Sequence, residues 1–287
     1  MKTSLDCIPC ILRQSLDAAR MVSKDPSVHE NILREVLGWA GEMDLSQSPP
    51  AMAQRIHRRL REIAGVDDPY RETKDWQNFI ALEMLPSLRS KIESASDPLL
   101  LAARLAIAGN VIDMGVNGNL TEADMLQAVN RALTEPLVGD YDEFRIAIAK
   151  AQSILYLADN AGEIAFDRLL IEKLLPERVT LVVRGAPVIN DATLADAQAV
   201  GLDKIVEIID NGSDAPGTIL RDCSQEFQRR YSDADLIIAK GQGNFETLSN
   251  EPENIFFLFK VKCPLVSELV HQPIGTQMLL QSRSGKK

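Results

Sequence analysis

Residues 152–163 read QSILYLADNAGE, and this stretch decides how the second half of the chain folds. Its apolar run, residues 154–158, has the length and composition of a buried strand, and the helix-like sequence AGEIAFDRLLIEKLL follows at once. A strand that leads directly into a helix is typical of a parallel sheet. The unusual feature is the pair Asp159 and Asn160 at the strand end, where a nucleotide-binding fold would place glycines against phosphate.

The same alternation recurs to the end of the chain. Further short apolar runs separate amphipathic stretches, and these runs read VTLVV, KIVEII, LIIA and IFFLF. Before residue 150, apolar residues recur at three- and four-residue spacing between Pro, Gly and Asp, which predicts helices. We therefore predict an α/β protein with a helical domain over residues 1–148 and a domain with a mostly parallel sheet over residues 149–287.

The composition excludes several classes of function. With 287 residues, 45% of them apolar, the chain can bury a sizeable core. Acidic residues outnumber basic ones by 41 to 31, which disfavours broad binding to nucleic acid or anionic membranes. No apolar stretch approaches the roughly 20 residues of a membrane span, and the start MKTSLDCIPC lacks the apolar core of a secretory signal. We expect a cytoplasmic protein that binds neither nucleic acid nor membrane, and the sequence predicts nothing about its oligomeric state.

Four of the predicted strand ends are unusually polar. In an open parallel sheet, ligands bind at the carboxyl ends of the strands, so polar residues there are expected to form one site. The four segments are DNAGE at residues 159–163, RGAPVIND at 184–191, DNG at 210–212 and KGQGNFE at 240–246.

A divalent cation explains the first of these segments. Asp159 alone would repel a phosphate, but a cation between the two would reverse the interaction, and carboxylate and amide oxygens are the ligands that Mg²⁺ or Mn²⁺ prefers. Asp159, Asn160 and Asp191 are therefore candidate metal ligands. Helix capping is the alternative for the Asp–Asn pair, and the recurrence of acid and amide at adjacent strand ends favours the metal. Glu163 is interpreted either as a general base or outer ligand, or as an ordinary acidic residue of the first helical turn.

The segment KGQGNFE is interpreted as an anion-binding turn. Gly241 would allow close approach of the backbone, Lys240 would supply a positive charge, and Asn244 lies in the same segment. The order of lysine and glycines differs from that of a P-loop, and an ordinary strand-to-helix turn is the alternative. Lys262, at the end of another predicted strand in FFLFKVKCP, would complete the cradle.

The cysteines leave more than one interpretation. Cys7 and Cys10 form a C-x-x-C pattern, which could belong to a zinc site completed by Cys263 or His57, or could be a pair of buried thiols. A redox pair is less consistent, because the pattern opens a helix without a preceding strand. We predict that Cys7 and Cys10 lie close to Cys263 in a structural cluster outside the chemistry.

Seven motifs, in order along nearly the whole chain, resemble the damage-control phosphatase family, also known as domain of unknown function 89. They are CIPC, DPYRETK, AGNVIDMG, LADNAGE, GAPVINDAT, AKGQGNFE and FKVKCP. The resemblance implies a standalone, prokaryotic-type member with an N-terminal helical domain, a three-layer α/β/α domain and phosphatase activity on small phosphorylated metabolites such as sugar phosphates. It implies that the metal ligands are Asp159, Asn160 and Asp191 and that Lys262 binds substrate, although FKVK replaces the Arg-Thr-x-Lys of the eukaryotic branch.

The resemblance also gives the helical domain a part in the site. In AGNVIDMG, Asn110 and Asp113 are three residues apart and share one face of a helix. Capping and turn formation near Gly115 are the alternative. The resemblance implies that Asn110 and Asp113 belong to a substrate-binding wall that faces the strand ends.

We predict a metal-dependent phosphatase, a phosphoric monoester hydrolase that uses Mn²⁺, Mg²⁺, Co²⁺ or Ni²⁺. Asp159, Asn160 and Asp191 would hold the cation, and Lys240 and Lys262 would neutralise the phosphoryl oxygens. Attack by water and attack by an aspartate are both compatible with the sequence. Two other functions stay open, a metal-containing regulator that binds nucleotides or sugar phosphates and an adenosyl-dependent carboxyl methyltransferase, although the latter would need a glycine-rich loop after the first strand.

Overall fold

The computed structural model describes residues 1–109 and 122–282. The first helices along the chain are α1 (Cys7–Val22), α2 (Pro26–Gly41), α3 (Pro49–Ala64), α4 (Arg71–Glu93), α5 (Pro98–Ala108) and α6 (Glu122–Thr134). They are followed by α7 (Tyr141–Lys150), α8 (Glu163–Ile171), α9 (Leu194–Ala199), α10 (Gln225–Asp233), α11 (Gly241–Leu248) and α12 (Pro264–Val270). None of the helices in these ranges combines the length and the apolar character that a membrane span requires.

The strands are β1 (Leu137–Gly139), β2 (Ile154–Leu157), β3 (Val179–Val183), β4 (Glu207–Asp210), β5 (Leu236–Lys240), β6 (Ile255–Lys260) and β7 (Gln277–Gln281). They form one sheet in the order β1-β7-β6-β5-β2-β3-β4. Every neighbouring pair is parallel except β6 and β7. The five apolar runs in the sequence are therefore β2 to β6, and the predicted mostly parallel sheet is confirmed.

Helices cover both faces of the sheet. On β2, Tyr156 packs into a core shared with α4, α5 and α8, whereas its neighbours Leu155 and Leu157 pack into a second core with α10, α11 and α12. Alternate residues of a strand point to opposite faces, so a fully apolar strand of this kind has to be covered on both sides. The architecture is the predicted three-layer α/β/α arrangement.

The N-terminal helices divide into two groups by the core to which they contribute. α1, α2 and α3 pack around an apolar cluster of their own, which includes Ile32, Val36 and Leu60. α4 and α5 instead contribute to the core that lies against the sheet. Since β1 pairs with β7 in that sheet, the sheet already begins at residue 137, and the predicted boundary after residue 148 stays a prediction.

The order of the strands creates a crevice between β2 and β5. From β2 the chain builds β3 and β4 on one side of β2, and it then returns to place β5 and β6 on the other side. A reversal of this kind leaves the carboxyl ends of the two central strands open to a ligand. Asp159 follows β2 and Gly241 follows β5, so both segments lie at this crevice, where a ligand is expected to bind.

Candidate functional site

The segments that carry the candidate metal ligands are held together by main-chain hydrogen bonds. Asn160 and Asp191 pair across an isolated antiparallel bridge, and the Ala192 amide donates to the Asp159 carbonyl oxygen at 2.8 Å. Asp159, Asn160 and Asp191 line one cavity. The three residues that we expected to meet at neighbouring strand ends are therefore adjacent in the structure.

The amide of Asn160 is oriented by its neighbours. Its Nδ2 donates to Asp159 Oδ2 at 3.0 Å and to Glu163 Oε2 at 3.4 Å. The amide nitrogen is thus directed at carboxylates, and Oδ1 is the Asn160 atom that remains for a cation. All three candidate ligands are largely buried, with exposed fractions of 8% for Asp159, 5% for Asn160 and 3% for Asp191.

Arg184 connects the two candidate carboxylates from behind. Its Nε donates to Asp191 Oδ2 at 2.7 Å, and its Nη2 lies 3.8 Å from Asp159 Oδ1. Nη2 is buried and has no hydrogen-bond partner within the described parts of the chain. Our sequence interpretation missed this residue, although an arginine directly after the apolar run of β3 was a visible signal. Its position fixes the Asp191 carboxylate and places a positive charge beside both acids.

A buried ionic cluster lies beneath the site and consists of Tyr156, Glu163, Asp167 and Lys240. Lys240 Nζ donates to Glu163 Oε1 at 2.6 Å, to Asp167 Oδ1 at 2.7 Å and to the Ala106 carbonyl oxygen at 2.6 Å. The Tyr156 hydroxyl donates to Asp167 Oδ1 at 2.8 Å. Each member is at most 1% exposed, so the cluster is closed off from solvent.

Burial shifts the titration of these groups. Desolvation, reinforced by the charges of Asp159 and Asp167 and opposed by Lys240, raises the pKa of Glu163 to about 8. The pKa of Lys240 is also raised, because the two carboxylates outweigh the effect of its burial. Four carboxylates, namely Asp159, Asp191, Glu163 and Asp167, face two cations, Arg184 and Lys240, so the fully ionised group has two excess negative charges.

This charge distribution suits a divalent cation. An isolated negative charge is costly to bury, and the raised pKa of Glu163 is the expected response. A divalent cation on Asp159, Asn160 and Asp191 would favour the ionised form of Glu163 and balance the excess negative charge, and the donor atoms are the hard oxygens that Mg²⁺ and Mn²⁺ prefer. Within the described residues, no group of three or more His, Cys, Asp or Glu side chains has metal-ligand spacing, and the candidate set differs from such a group because one of its three members is an asparagine.

Three residues expected to bind phosphate lie below the cavity surface. Lys240 uses its three N–H groups on protein acceptors, so its interpretation as a phosphate-binding cation does not fit this geometry. Gly241 has a φ of 79°, and a Cβ at this position would overlap the Asp159 carboxylate. Asn244 is fully buried and donates to the Lys240 carbonyl oxygen at 2.7 Å. The turn after β5 therefore supports the candidate ligands from within.

The cavity above the candidate ligands has a volume of about 530 Å³. Its walls come from α1 and α3 on one side and from the strand-end loops on the other, and Lys262 is in the lining. Lys262 is exposed, and its main-chain amide donates to Gln242 Oε1 at 2.9 Å. Lys262 thus occupies the position expected of a cation that can contact a bound anion. Asn110 and Asp113, the other predicted wall residues, lie outside the described residues.

Helix α3 is attached to the strand-end loops by a polar contact around Asp214. Arg58 and Arg61 bind the Asp214 carboxylate at 2.6 and 2.5 Å, and Arg61 also donates to the Pro187 carbonyl oxygen at 2.5 Å. Although burial opposes the shift, hydrogen bonds from Arg58, Arg61 and Gln54 lower the pKa of Asp214 to about 2. The contact holds one wall of the cavity against the sheet.

The thiols Cys7, Cys10 and Cys263 line the same cavity as the candidate ligands. Burial raises the pKa of Cys10, with smaller contributions from Cys263, Cys7 and Glu246, in agreement with the expected proximity of the three thiols. Gln242 Nε2 contacts Cys263 Sγ at 3.5 Å. The cluster therefore shares a wall with the site and is not remote from it. His57 also lines the cavity, and burial, with a smaller effect of Arg61, lowers its pKa to about 4.

Comparison with known proteins gives a consistent family. Residues 3–278 match the sequence model of the damage-control phosphatase ARMT1-like domain. A protein of Archaeoglobus fulgidus named damage-control phosphatase is 37% identical, over 96% of this chain and 97% of its own. Damage-control phosphatase PH1575 of Pyrococcus horikoshii is 34% identical over 99% of both chains. A crystal structure described as a DUF89 family protein from Pyrococcus horikoshii superimposes with a TM-score of 0.88 at 32% identity, over 99% of this chain and 100% of that chain.

Proposed function

Because the chain belongs to the damage-control phosphatase ARMT1-like family, we propose that it is a divalent-metal-dependent phosphatase that hydrolyses small phosphorylated metabolites. The observation that carries this proposal is the pairing of Asp159 and Asn160 with Asp191 across one bridge at the open end of the sheet. Two carboxylates and an amide are a ligand set for Mg²⁺, Mn²⁺, Co²⁺ or Ni²⁺. The excess of buried carboxylates over cations around these ligands supports the same conclusion.

The residues of the chain divide the work of phosphoryl transfer. Asp159, Asn160 and Asp191 hold the cation, and Arg184 keeps the two carboxylates in place. Lys262 contacts the phosphoryl oxygens from the cavity side, which neutralises charge where a loose transition state carries it. When bound, the cation supplies polarisation of the phosphoryl group and acidification of a coordinated water.

The cavity is suited to a small phosphomonoester. Its volume of about 530 Å³ is in the range of small-ligand sites. Among the described residues that line the cavity, Lys262 is the one lysine, and none is an arginine. One such cation fits a single phosphoryl group better than a polyphosphate. We therefore propose sugar phosphates and similar monoesters as the substrate class.

The direct test joins metal binding to activity. Mn²⁺ binding is measured by titration for the wild-type protein and Asp159→Asn, and both are assayed on a panel of phosphorylated metabolites with Mg²⁺, Mn²⁺, Co²⁺, Ni²⁺ or EDTA. We expect metal-stimulated release of inorganic phosphate by the wild type and none by Asp159→Asn. A protein that binds Mn²⁺ and sugar phosphates without turnover would instead be a regulator, and the phosphatase proposal would be rejected.

A further inference from the structure

Helix α4 reaches one of the ligand-bearing segments through a buried amide. Asn78 on α4 is 2% exposed, and its Oδ1 accepts a hydrogen bond from the Gly162 amide at 2.7 Å. Gly162 lies between Asn160 and Glu163 and has a φ of 73° and a ψ of −54°, outside the helical conformation that begins at the next residue. The N–H of such a turn needs a partner, and a side chain from another helix provides it.

The same amide also reaches helix α9, which follows the segment that carries Asp191. Asn78 Nδ2 donates to Asp196 Oδ1 at 2.9 Å. Asp196 closes a capping box with Thr193, because its Oδ2 accepts from the Thr193 amide at 2.8 Å and from the Thr193 hydroxyl at 2.7 Å. Thr193 is two residues after Asp191, so the start of α9 and the end of the Asp191 segment are fixed together.

Two cations of α4 reinforce this contact. Lys74 Nζ lies 2.9 Å from Asp196 Oδ2, and Arg71 donates to Asp196 Oδ1 at 2.7 Å. Lys74 and Asp196 are both fully buried, and although burial opposes it, the charge of Lys74 and hydrogen bonds from Thr193 lower the pKa of Asp196. The hydrogen-bond network therefore joins Gly162 to Asp196 through Asn78. Asp196 is held in turn by Lys74 and Arg71, the two cations of α4.

We propose that Asn78 is a positioning residue that sets the spacing between the Asp159–Asn160 turn and the Asp191 segment, and thereby the affinity of the site for its cation. The inference rests on the proposed function, since it concerns the same ligands. Metal sites tolerate little displacement of their ligands, and contacts behind the ligands commonly change metal affinity 10- to 100-fold, to order of magnitude. Arg184 joins the two segments on the side of the carboxylates, and Asn78 joins the turn at Gly162 to the start of α9, which follows the Asp191 segment.

A matched control separates positioning from simple stabilisation. Gln54 on α3 is likewise a buried amide of a helix, 8% exposed, and it donates to Asp214 at 2.7 Å and to Asp222 at 2.6 Å. Those acceptors lie in the loop after β4 and not in the segments that carry Asp159 or Asp191. Asn78→Ala and Gln54→Ala each remove two hydrogen bonds, so we expect similar losses of stability.

The experiment measures Mn²⁺ affinity and thermal stability for the wild type and both variants. We expect the Kd for Mn²⁺ to rise about 10- to 100-fold in Asn78→Ala and to stay within about twofold of the wild type in Gln54→Ala. Equal melting shifts with unchanged Mn²⁺ affinity in Asn78→Ala would overturn the inference. An equal loss of affinity in both variants would overturn it as well.

A second measurement does not depend on the metal. Hydrogen–deuterium exchange of residues 159–163 in the metal-free protein should accelerate in Asn78→Ala and remain as in the wild type in Gln54→Ala. Unchanged exchange in Asn78→Ala would contradict the positioning role. If Asn78→Ala does not fold, Asn78→Ser takes its place with the same expectations. Failure of the wild-type protein to bind Mn²⁺ would reject the proposed function, whereas the exchange rates decide the role of Asn78 by themselves.

Discussion

Lys240 and Lys262 lie at the carboxyl ends of neighbouring strands of one sheet, yet their environments differ. Lys240 ends β5 in the buried ionic cluster, where its ammonium contacts Glu163, Asp167 and a main-chain carbonyl oxygen. Lys262 follows β6, is exposed, and lines the cavity. From sequence the two lysines looked equivalent, as two halves of an anion cradle. The difference teaches that a charge below the site maintains the shape of the site, whereas a charge in the cavity wall can contact a ligand.

The largest effect expected from this comparison is the loss of stability in Lys240→Met. Removing the ammonium leaves Glu163 and Asp167 buried without their cation, and breaking a buried ion pair from one side typically costs about 3–5 kcal/mol. Urea unfolding at pH 7 measures the change. Lys260→Met is the control, because Lys260 is partly exposed and lies 3.5 Å from Glu135, a contact worth at most about 1 kcal/mol. Equal stability of the two variants would contradict the distinction.

Lys262→Met should show the reverse pattern, with little change in stability and a large change in rate. Losing a charged contact to the transferring group is worth about 2–4 kcal/mol, so kcat/KM should fall roughly 30- to 1,000-fold. Inhibition by inorganic phosphate should weaken, while Mn²⁺ affinity measured without phosphate should hardly change. If Mn²⁺ affinity collapsed and phosphate inhibition persisted, Lys262 would support the metal ligands instead.

A third prediction concerns His57 in the cavity wall. Its pKa in the folded protein is lowered to about 4, so on acidification the unfolded chain binds a proton near its ordinary pKa of about 6.5 while the folded protein does not. The contribution of neutral His57 to the free energy of unfolding is therefore complete above about pH 6.5. As the pH falls from there towards 4, the free energy of unfolding decreases by up to about 1.4 kcal/mol per pH unit. Between pH 7 and pH 5 the free energy of unfolding should therefore drop about 2 kcal/mol less in His57→Gln than in the wild type. Parallel pH profiles from urea unfolding would show that His57 does not contribute.

The smallest effect is expected for the thiols. The double variant Cys7→Ser/Cys10→Ser should change the free energy of unfolding by less than about 1 kcal/mol, since Cys10 is exposed and Cys7 only partly buried. Its kcat/KM should stay within about threefold of the wild type, because the proposed reaction uses no thiol. If the double variant folds but has lost activity, these thiols take part in the reaction. Helix α1 would then belong to the catalytic part of the cavity, together with Lys262.

Much of the fold could be predicted because it follows from local patterns. The apolar runs of β2, β3, β5 and β6 are almost wholly buried, and the run that contains β4 is only partly buried at the edge of the sheet. β1 and β7 were not predicted, because β1 has only three residues and β7 has five, of which the last two are partly exposed. Their pairing depends on distant segments and leaves little trace in the local sequence.

The site was predictable where proximity follows from topology. The carboxyl ends of neighbouring parallel strands lie side by side at one edge of the sheet, and this predicted that Asp159 and Asp191 lie close together. The direction in which a long side chain such as Lys240 points could not be predicted in this way, because it depends on which acidic residues of other elements are buried nearby. Asp167 gave a signal, since it lies one helical turn after Glu163 inside an apolar stretch, and the two acids on one buried face require a cation. Asn78 gave no comparable signal, because its partners lie 84 and 118 residues away.

The edge of the sheet has a consequence for synthesis of the protein. β1 pairs in parallel with β7, in the register that sets Leu137 beside Gln277, and β7 in turn covers the edge of β6. A ribosome therefore completes both N-terminal groups of helices and most of the sheet before the strand that joins β1 to the rest exists. Until residue 281 has emerged, β6 presents an open row of main-chain donors and acceptors, the kind of edge that invites pairing with another chain. Chaperone binding during translation should accordingly concentrate on nascent chains that end between β6 and β7.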